Sequence, residues 1–189
     1  MKDLRNMFIC VEGIDNVGKS TLIQKLKNHY NDYTFHTLHY SNVKQENSLA
    51  VIDYSTKMYT EMFDMMVQNT KYEKSGIICD RSHLGEMVYG PEYRGYSGEY
   101  VLDIEKQFHN MRDVWDNLVL FTIVDKAENA IARDDGLSFS TNLEKKQKEI
   151  DAFRNAHDKS TIKNKYSINI ENFDADEVAQ IAIDYIEKY

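Results

Sequence analysis

An α/β fold with a mainly parallel sheet is predicted for this 189-residue chain on three observations. Short apolar runs alternate with stretches of helical periodicity along the whole length, the order that a doubly wound sheet requires. Two of the runs, residues 76–80 (GIICD) and 117–125 (NLVLFTIVD), are apolar without alternation, as suits central strands covered on both faces. The composition, 42 % hydrophobic and 29 % charged with one proline, is that of an ordinary globular chain rather than a disordered or fibrous one.

Residues 7–11 read as the first strand, and 18–29 as a helix with Leu22, Ile23 and Leu26 at helical spacing. A second strand is expected at 34–40 and a long helix over about 49–70. The third strand, 76–80, ends on Asp80-Arg81; a short helix over 82–89 and a glycine-rich turn over 89–100 with the proline, Pro91, should follow. Helical periodicity returns over 101–115, the fourth strand covers 117–125, and 126–133 reads as a short helix. DDGLSFSTN reads as a mobile loop, 143–157 as a charged helix, 166–170 as the fifth strand, and 174–188 as a closing helix that turns Val178, Ile181, Ala182 and Tyr185 inward. The length suits one domain, 1–189, with no repeat or linker.

A formal charge of −8 argues against non-specific nucleic-acid binding, while a local phosphate site remains open to an acidic protein. No run of about 18 apolar residues is present to span a bilayer, and MKDLRNMF lacks the apolar core of a secretory signal, so a cytoplasmic protein is expected. Cys10 and Cys79 lie in strand-like runs without metal-ligand spacing and read as reduced core residues.

Gly13 to Ser20, GIDNVGKS, fits GxxxxGK[ST], with a strand before it and a helix after it. In this phosphate loop (P-loop) Gly13 and Gly18 let the backbone wrap an anion, with Asn16 and Val17 between them, and the helix N-terminus adds positive charge. Lys19 should reach the β- and γ-phosphates of ATP, the Ser20 hydroxyl should hold Mg²⁺, and Thr21 should support the α-phosphate. Asp80 supplies the acid at the end of a neighbouring strand that holds magnesium through water, and Arg81 supplies charge for a transferring or acceptor phosphate. No guanine-reading [NT]KxD segment is found, and the strand ends in Asp-Arg rather than the Asp-Glu of ATPase machines. Arg94, in PEYRGY, is a further cation for the acceptor. His39, Tyr40 and Ser41 end the second strand at the sheet edge where ligands collect, and His83 follows Asp80-Arg81 closely enough to approach the acceptor. Lys145, Lys146 and Lys148 interleave with Glu144 and Glu149 and read as a solvated helix face.

EGIDNVGKST followed by GIICDRS resembles the thymidylate kinase and deoxynucleoside kinase group, and DRSHLGEMVYGPEYRGY is similar to a phage-type variant of it. The resemblance implies a three-layer P-loop fold, a mainly parallel five-stranded sheet flanked by helices, and a mobile lid at about 133–148. It implies Asp15 beside the acceptor sugar, Tyr89 facing the acceptor, and donor adenine near Asn172 and Phe173. Arg133 leads the lid and is the expected cation over the moving phosphoryl group. The group's usual Phe-x-x-x-Arg element is missing, since no arginine lies between Arg5 and Arg81; Tyr54, Tyr59 and Phe63 are the stacking candidates. The expectation is an ATP- and Mg²⁺-dependent deoxynucleoside monophosphate kinase; the alternatives are a deoxynucleoside kinase and a non-catalytic nucleotide-binding protein. Partners are small nucleotides, with no nucleic acid and no membrane, and the resemblance admits a homodimer paired through helices.

Overall fold

The computed structural model describes residues 6–40, 48–72 and 74–188. Five strands, β1 (Phe8–Glu12), β2 (Thr34–His39), β3 (Ser75–Asp80), β4 (Leu118–Val124) and β5 (Asn164–Asn169), form one parallel sheet in the order β2-β3-β1-β4-β5. The sequence FICVE makes β1 the central strand: it is buried at every residue, as is β4 beside it. Edge strands β2 and β5 are largely exposed, so polar residues are admitted there and the apolar signal weakens.

Successive β1 side chains point to opposite faces and enter two cores. Ile9 and Val11 pack with α1 (Lys19–His29), α7 (Leu143–Lys159) and α8 (Ala175–Lys188). Phe8 and Cys10 pack with α2 (Ser48–Asn69), α4 (Tyr100–Phe108) and α5 (Arg112–Trp115) on the other side. The result is the expected three layers. Cys10 and Cys79 are opposed in the β1–β3 register, buried and unbridged.

Two expectations for the connections change. Residues 89–100 are not simply a turn: α3 (Gly85–Tyr89) runs on into a π-helical segment, Gly90–Arg94. Pro91 sits where α3 passes into this wider π-helical turn, and the helical backbone continues through it, so the proline does not break it. The expected helix over 101–115 is two helices, α4 and α5, because Met111 adopts a non-helical conformation (φ −80°, ψ 77°) ahead of α5. The segment 133–142 connects α6 (Ala127–Ala132) to α7, whose start is fixed by the Asn142 side chain accepting from the Lys145 N–H at 3.0 Å; the lid expected at about 133–148 thus takes in this connection and the first turns of α7. No described helix is long and apolar enough to cross a membrane.

Candidate functional site

The carboxyl ends of β1, β3 and β4 open onto three neighbouring cavities, where ligands gather on such a sheet. The loop from Gly13 to Ser20 lies between them. Gly13 has φ +140°, and a Cβ there would come 2.5 Å from the Ile123 carbonyl oxygen, so only glycine lets the loop leave β1 against β4. The Lys19 side chain is folded back on the loop, donating to the Gly13 and Ile14 carbonyls at 3.0 and 2.7 Å. Burial first, and the Arg81 guanidinium second, push its pKa down to about 8.

The middle cavity, about 320 Å³, is lined by the loop residues Asp15, Asn16, Gly18, Lys19, Ser20 and Thr21 together with Asp80 and Arg81. Its chemistry is that of a phosphate site. Ser20 Oγ donates to Asp80 Oδ2 at 3.3 Å, and His39 Nδ1 lies 3.3 Å from the same oxygen, which brings His39 to the ligand edge. Ser41 lies outside the described residues. Hydroxyl and carboxylate are the hard oxygen donors that Mg²⁺ takes, usually one or two from protein beside substrate phosphates. Among the described residues no group of three or more His, Cys, Asp or Glu is placed to hold a metal on its own.

A second cavity, of about 370 Å³, is lined by Asn16, Val17, Gly18, Thr21, Leu22, Arg133, Ile170, Phe173, Asp174, Ala175 and Val178. Arg133 lines this cavity, beside Phe173 near which the resemblance puts the donor adenine (the base side), and is not among the residues lining the phosphate cavity. Its guanidinium pairs with buried Asp125, and its Nε donates to the Asn16 carbonyl at 2.9 Å, two contacts that hold it there. Burial opposes the Asp125 carboxylate, but hydrogen bonds from Arg133, Asn129 and the Lys126 N–H outweigh it and hold its pKa below the ordinary value. The 133–142 segment reaches the loop again through Asn16, whose amide donates to Asp134 and Ser138 at 3.0 and 3.2 Å.

On the opposite side a cavity of about 120 Å³ is lined by Glu12, Gly13, Asp15, Tyr40, Tyr59, Arg81, Ser82, Gly85, Glu86, Tyr89, Arg94, Phe139 and Phe153. Asp15 and Arg81 belong both to it and to the phosphate cavity, and they are joined by a 2.5 Å ion pair. Arg81 has φ +68°, a conformation unusual for a residue with a side chain, held by its N–H donating to the Val11 carbonyl at 3.0 Å. The strained turn after β3 is what aims this guanidinium at the loop. Burial, followed by the Asp15 and Glu149 charges, raises the Tyr89 phenol well above its ordinary pKa, so Tyr89 is a neutral wall. Arg94 lines this cavity too, paired with Glu86 at 2.8 Å.

Several sequence expectations fall elsewhere. His83 is fully buried and bonds Glu105 at 2.6 Å, stacked edge-on against Phe63, so it supports the turn instead of meeting a ligand. Among the stacking candidates Tyr59 lines this last cavity, where the sequence reading expects the acceptor, Phe63 is core and Tyr54 is exposed. Lys145 and Lys148 are exposed, whereas Lys146 is buried against Glu149 at 3.0 Å, and Glu149 also accepts from the Tyr93 hydroxyl. A buried carboxylate there has drawn one lysine out of the solvated face.

Three residues were missed. Glu12 is 1 % exposed; its Oε1 accepts from the Ser82 N–H and hydroxyl at 2.9 and 2.7 Å, and its Oε2 has no partner among the described residues. Its signal was the same as that of Asp80, an acid closing a fully apolar strand. Glu86 and Phe139, which stacks on Tyr93 at 4.9 Å, carried no pattern that marked them.

No protein-family model matches the sequence, and no curated protein matches it. Solved structures do. The YorR protein from Bacillus subtilis, in a structure with phosphorylated GDP, superposes with a TM-score of 0.67 at 17 % identity over 96 % of each chain. A thymidylate kinase from Candida albicans gives 0.66 at 14 % identity, over 97 % of this chain and 92 % of that one. A deoxyadenosine kinase from M. mycoides with bound dATP gives 0.56 at 14 % identity, over 96 % and 100 %. These likenesses show the fold, which the chain shares with these proteins over nearly its whole length.

Proposed function

We propose that the chain is an ATP- and Mg²⁺-dependent kinase that transfers the γ-phosphoryl group to a deoxynucleoside monophosphate. One observation carries this reading: the three cavities adjoin through shared walls. Asn16, Gly18 and Thr21 serve the base-side and phosphate cavities, and Asp15 and Arg81 serve the phosphate and acceptor-side cavities. A donor triphosphate laid along the loop points its last phosphate at Arg81, beyond which lies room for a second molecule. Fold neighbours that include a thymidylate kinase and a deoxyadenosine kinase support a nucleotide or nucleoside as that molecule.

In this mechanism Gly13, Gly18 and the loop N–H groups hold the donor phosphates. Lys19 leaves its carbonyl partners for the β- and γ-phosphates, and Thr21 supports the α-phosphate. Ser20 and Asp80 would hold Mg²⁺, which neutralises charge on the donor phosphates. Arg133 braces the donor base, and Arg81, steadied by Asp15, screens the acceptor phosphate for in-line attack; such an acceptor is already ionised and needs no base. Tyr89 walls the acceptor. The expected result with labelled ATP is consumption of a deoxynucleoside monophosphate, with the matching nucleoside left untouched.

A second reading, a deoxynucleoside kinase, is favoured by the unpartnered Oε2 of Glu12 beside the acceptor-side cavity, since a carboxylate is what a 5′-hydroxyl needs. The same panel separates them: consumption of the nucleoside, with the monophosphate inert, would select this second reading.

A further inference from the structure

The strand ends beside the phosphate loop bring a nitrogen donor to the Ser20–Asp80 pair. His39 is the last residue of β2 and stands opposite Asp80, the last residue of β3, in the parallel register. Residues paired in this way point to the same face, so both side chains leave the carboxyl edge of the sheet together. The backbone is fixed just past them: the Tyr40 N–H donates to the Asp80 carbonyl at 3.3 Å and the Arg81 N–H to that of Val11 at 3.0 Å. Ser20 arrives from the other side, in the first turn of α1. His39, Ser20 and Asp80 all line the middle cavity.

Asp80 Oδ2 has two neighbours at the same distance, Ser20 Oγ at 3.3 Å and His39 Nδ1 at 3.3 Å. Adjacent ligands of an octahedral ion with bonds of about 2.1 Å stand about 3 Å apart. The hydroxyl and the imidazole thus each stand close to ligand spacing from the carboxylate, and donor phosphates and water can complete the set. An imidazole that carries its proton on Nε2 presents a lone pair at Nδ1, as a metal ligand must. The His39 side chain is half exposed, so the ring adopts that tautomer without disturbing the core.

We infer that His39 is a ligand of the divalent ion that accompanies the donor triphosphate, and that it shifts the choice of ion from Mg²⁺ toward those that accept nitrogen, Mn²⁺ and, more strongly, Co²⁺. The inference rests on the function proposed above only in placing a donor triphosphate along the loop; the identity of the acceptor does not enter. Mg²⁺ takes oxygen ligands and gains little from an imidazole, whereas affinity for a mixed nitrogen and oxygen site rises from Mn²⁺ to Co²⁺. Ser20 and Asp80 alone would give much less of this preference, because both donors are oxygen.

The test loads the intact protein with MnATP and reads nitrogen coupling to the Mn²⁺ spin by electron spin-echo envelope modulation. Only the histidines carry the heavy nitrogen isotope, which separates imidazole from adenine nitrogen. The expected result is a histidine coupling in the wild type that is lost in His39→Ala. Turnover gives a second reading: kcat/KM for MnATP divided by that for MgATP should fall at least about tenfold in His39→Ala, and the ratio of CoATP to MgATP should fall further. Comparing the same ratio in both proteins cancels the nucleotide's own preference among ions. MnATP bound without a histidine coupling, a coupling that persists in His39→Ala, or an unchanged ratio overturns the inference and leaves the kinase reading intact. Histidine coupling without transfer to any acceptor overturns the kinase reading and supports the ligand assignment, and failure to bind MnATP at all overturns both. Should the variant not fold, the wild-type coupling decides.

Discussion

Lys19 carries a cost in the free protein that the donor would remove. Buried and close to Arg81, its ammonium donates to two carbonyls, and its pKa sits near 8 rather than 10.5. Phosphates arriving in the loop bring negative charge to that nitrogen and raise its pKa again. Around pH 8.5 a sizeable fraction of free protein has lost the proton, so ATP binding should take a proton up. Calorimetry in buffers of different ionisation enthalpy reads that uptake directly. Lys19→Met should abolish the uptake and lower phosphoryl transfer by about 10²–10³-fold, the scale of losing one preorganised donor to a transition-state anion. Uptake that persists undiminished in Lys19→Met would place the titrating group elsewhere.

Among the elements, the turn between β3 and α3 holds most of the chemistry, and it is anchored from both sides. Glu12 of β1 takes the Ser82 N–H and hydroxyl, while His83 one residue on is bound by Glu105 of α4. Glu105 also accepts from the Ser160 hydroxyl at 2.7 Å and from the Thr161 N–H at 2.6 Å and its hydroxyl at 2.8 Å, tying α4 to the end of α7. Burial alone would raise the Glu105 pKa; the His83 contact and these donors outweigh it and bring it down to about 2. A carboxyl depressed in the folded state gives stability that is complete above its unfolded value and disappears as pH falls from about 4.5 through 2. Urea unfolding of wild type against Glu105→Gln should therefore show a gap of order 3 kcal/mol at pH 6 that closes toward pH 2. A gap that is constant over that range would deny the depressed carboxyl. The His83–Glu105 side of this anchor was not legible from sequence, since the two residues are 22 apart and announce no period. What was legible had local causes. The loop GIDNVGKS is dictated by backbone geometry, and β1, β3 and β4 by burial on both faces. The Gly90–Arg94 segment was not, because a proline where one helical turn passes into another reads the same as a proline in a loop.

For the molecule as a whole, sequence alternation sufficed to place five strands and the resemblance implied the three layers, while the division of labour among its arginines needed coordinates. Arg81, Arg94 and Arg133 each line a cavity, but their partners Asp15, Glu86 and Asp125 are distant or unmarked in sequence, and those partners decide where each charge points. Residues 133–139 touch all three cavities: Arg133 lines the one beside Phe173, Asp135 and Leu137 the middle one, and Phe139 the one beside Tyr89, which in the proposed function take the donor base, the phosphates and the acceptor. The two substrates should therefore be held as one continuous ligand. Adenosine joined to an acceptor nucleoside through a polyphosphate long enough to span the middle cavity would fill every site at once, turning the second binding event into an intramolecular one. Such a ligand should raise the Tm by more than saturating ATP and acceptor nucleotide added separately, because stabilisation follows the logarithm of concentration over Kd. Arg81→Ala removes a wall shared by two cavities, so in that variant the linked ligand should lose its advantage while the ATP shift survives. Equal Tm shifts for linked and separate ligands in the wild type would mean that the cavities do not lie along one path, and the transfer geometry proposed here would fail with them.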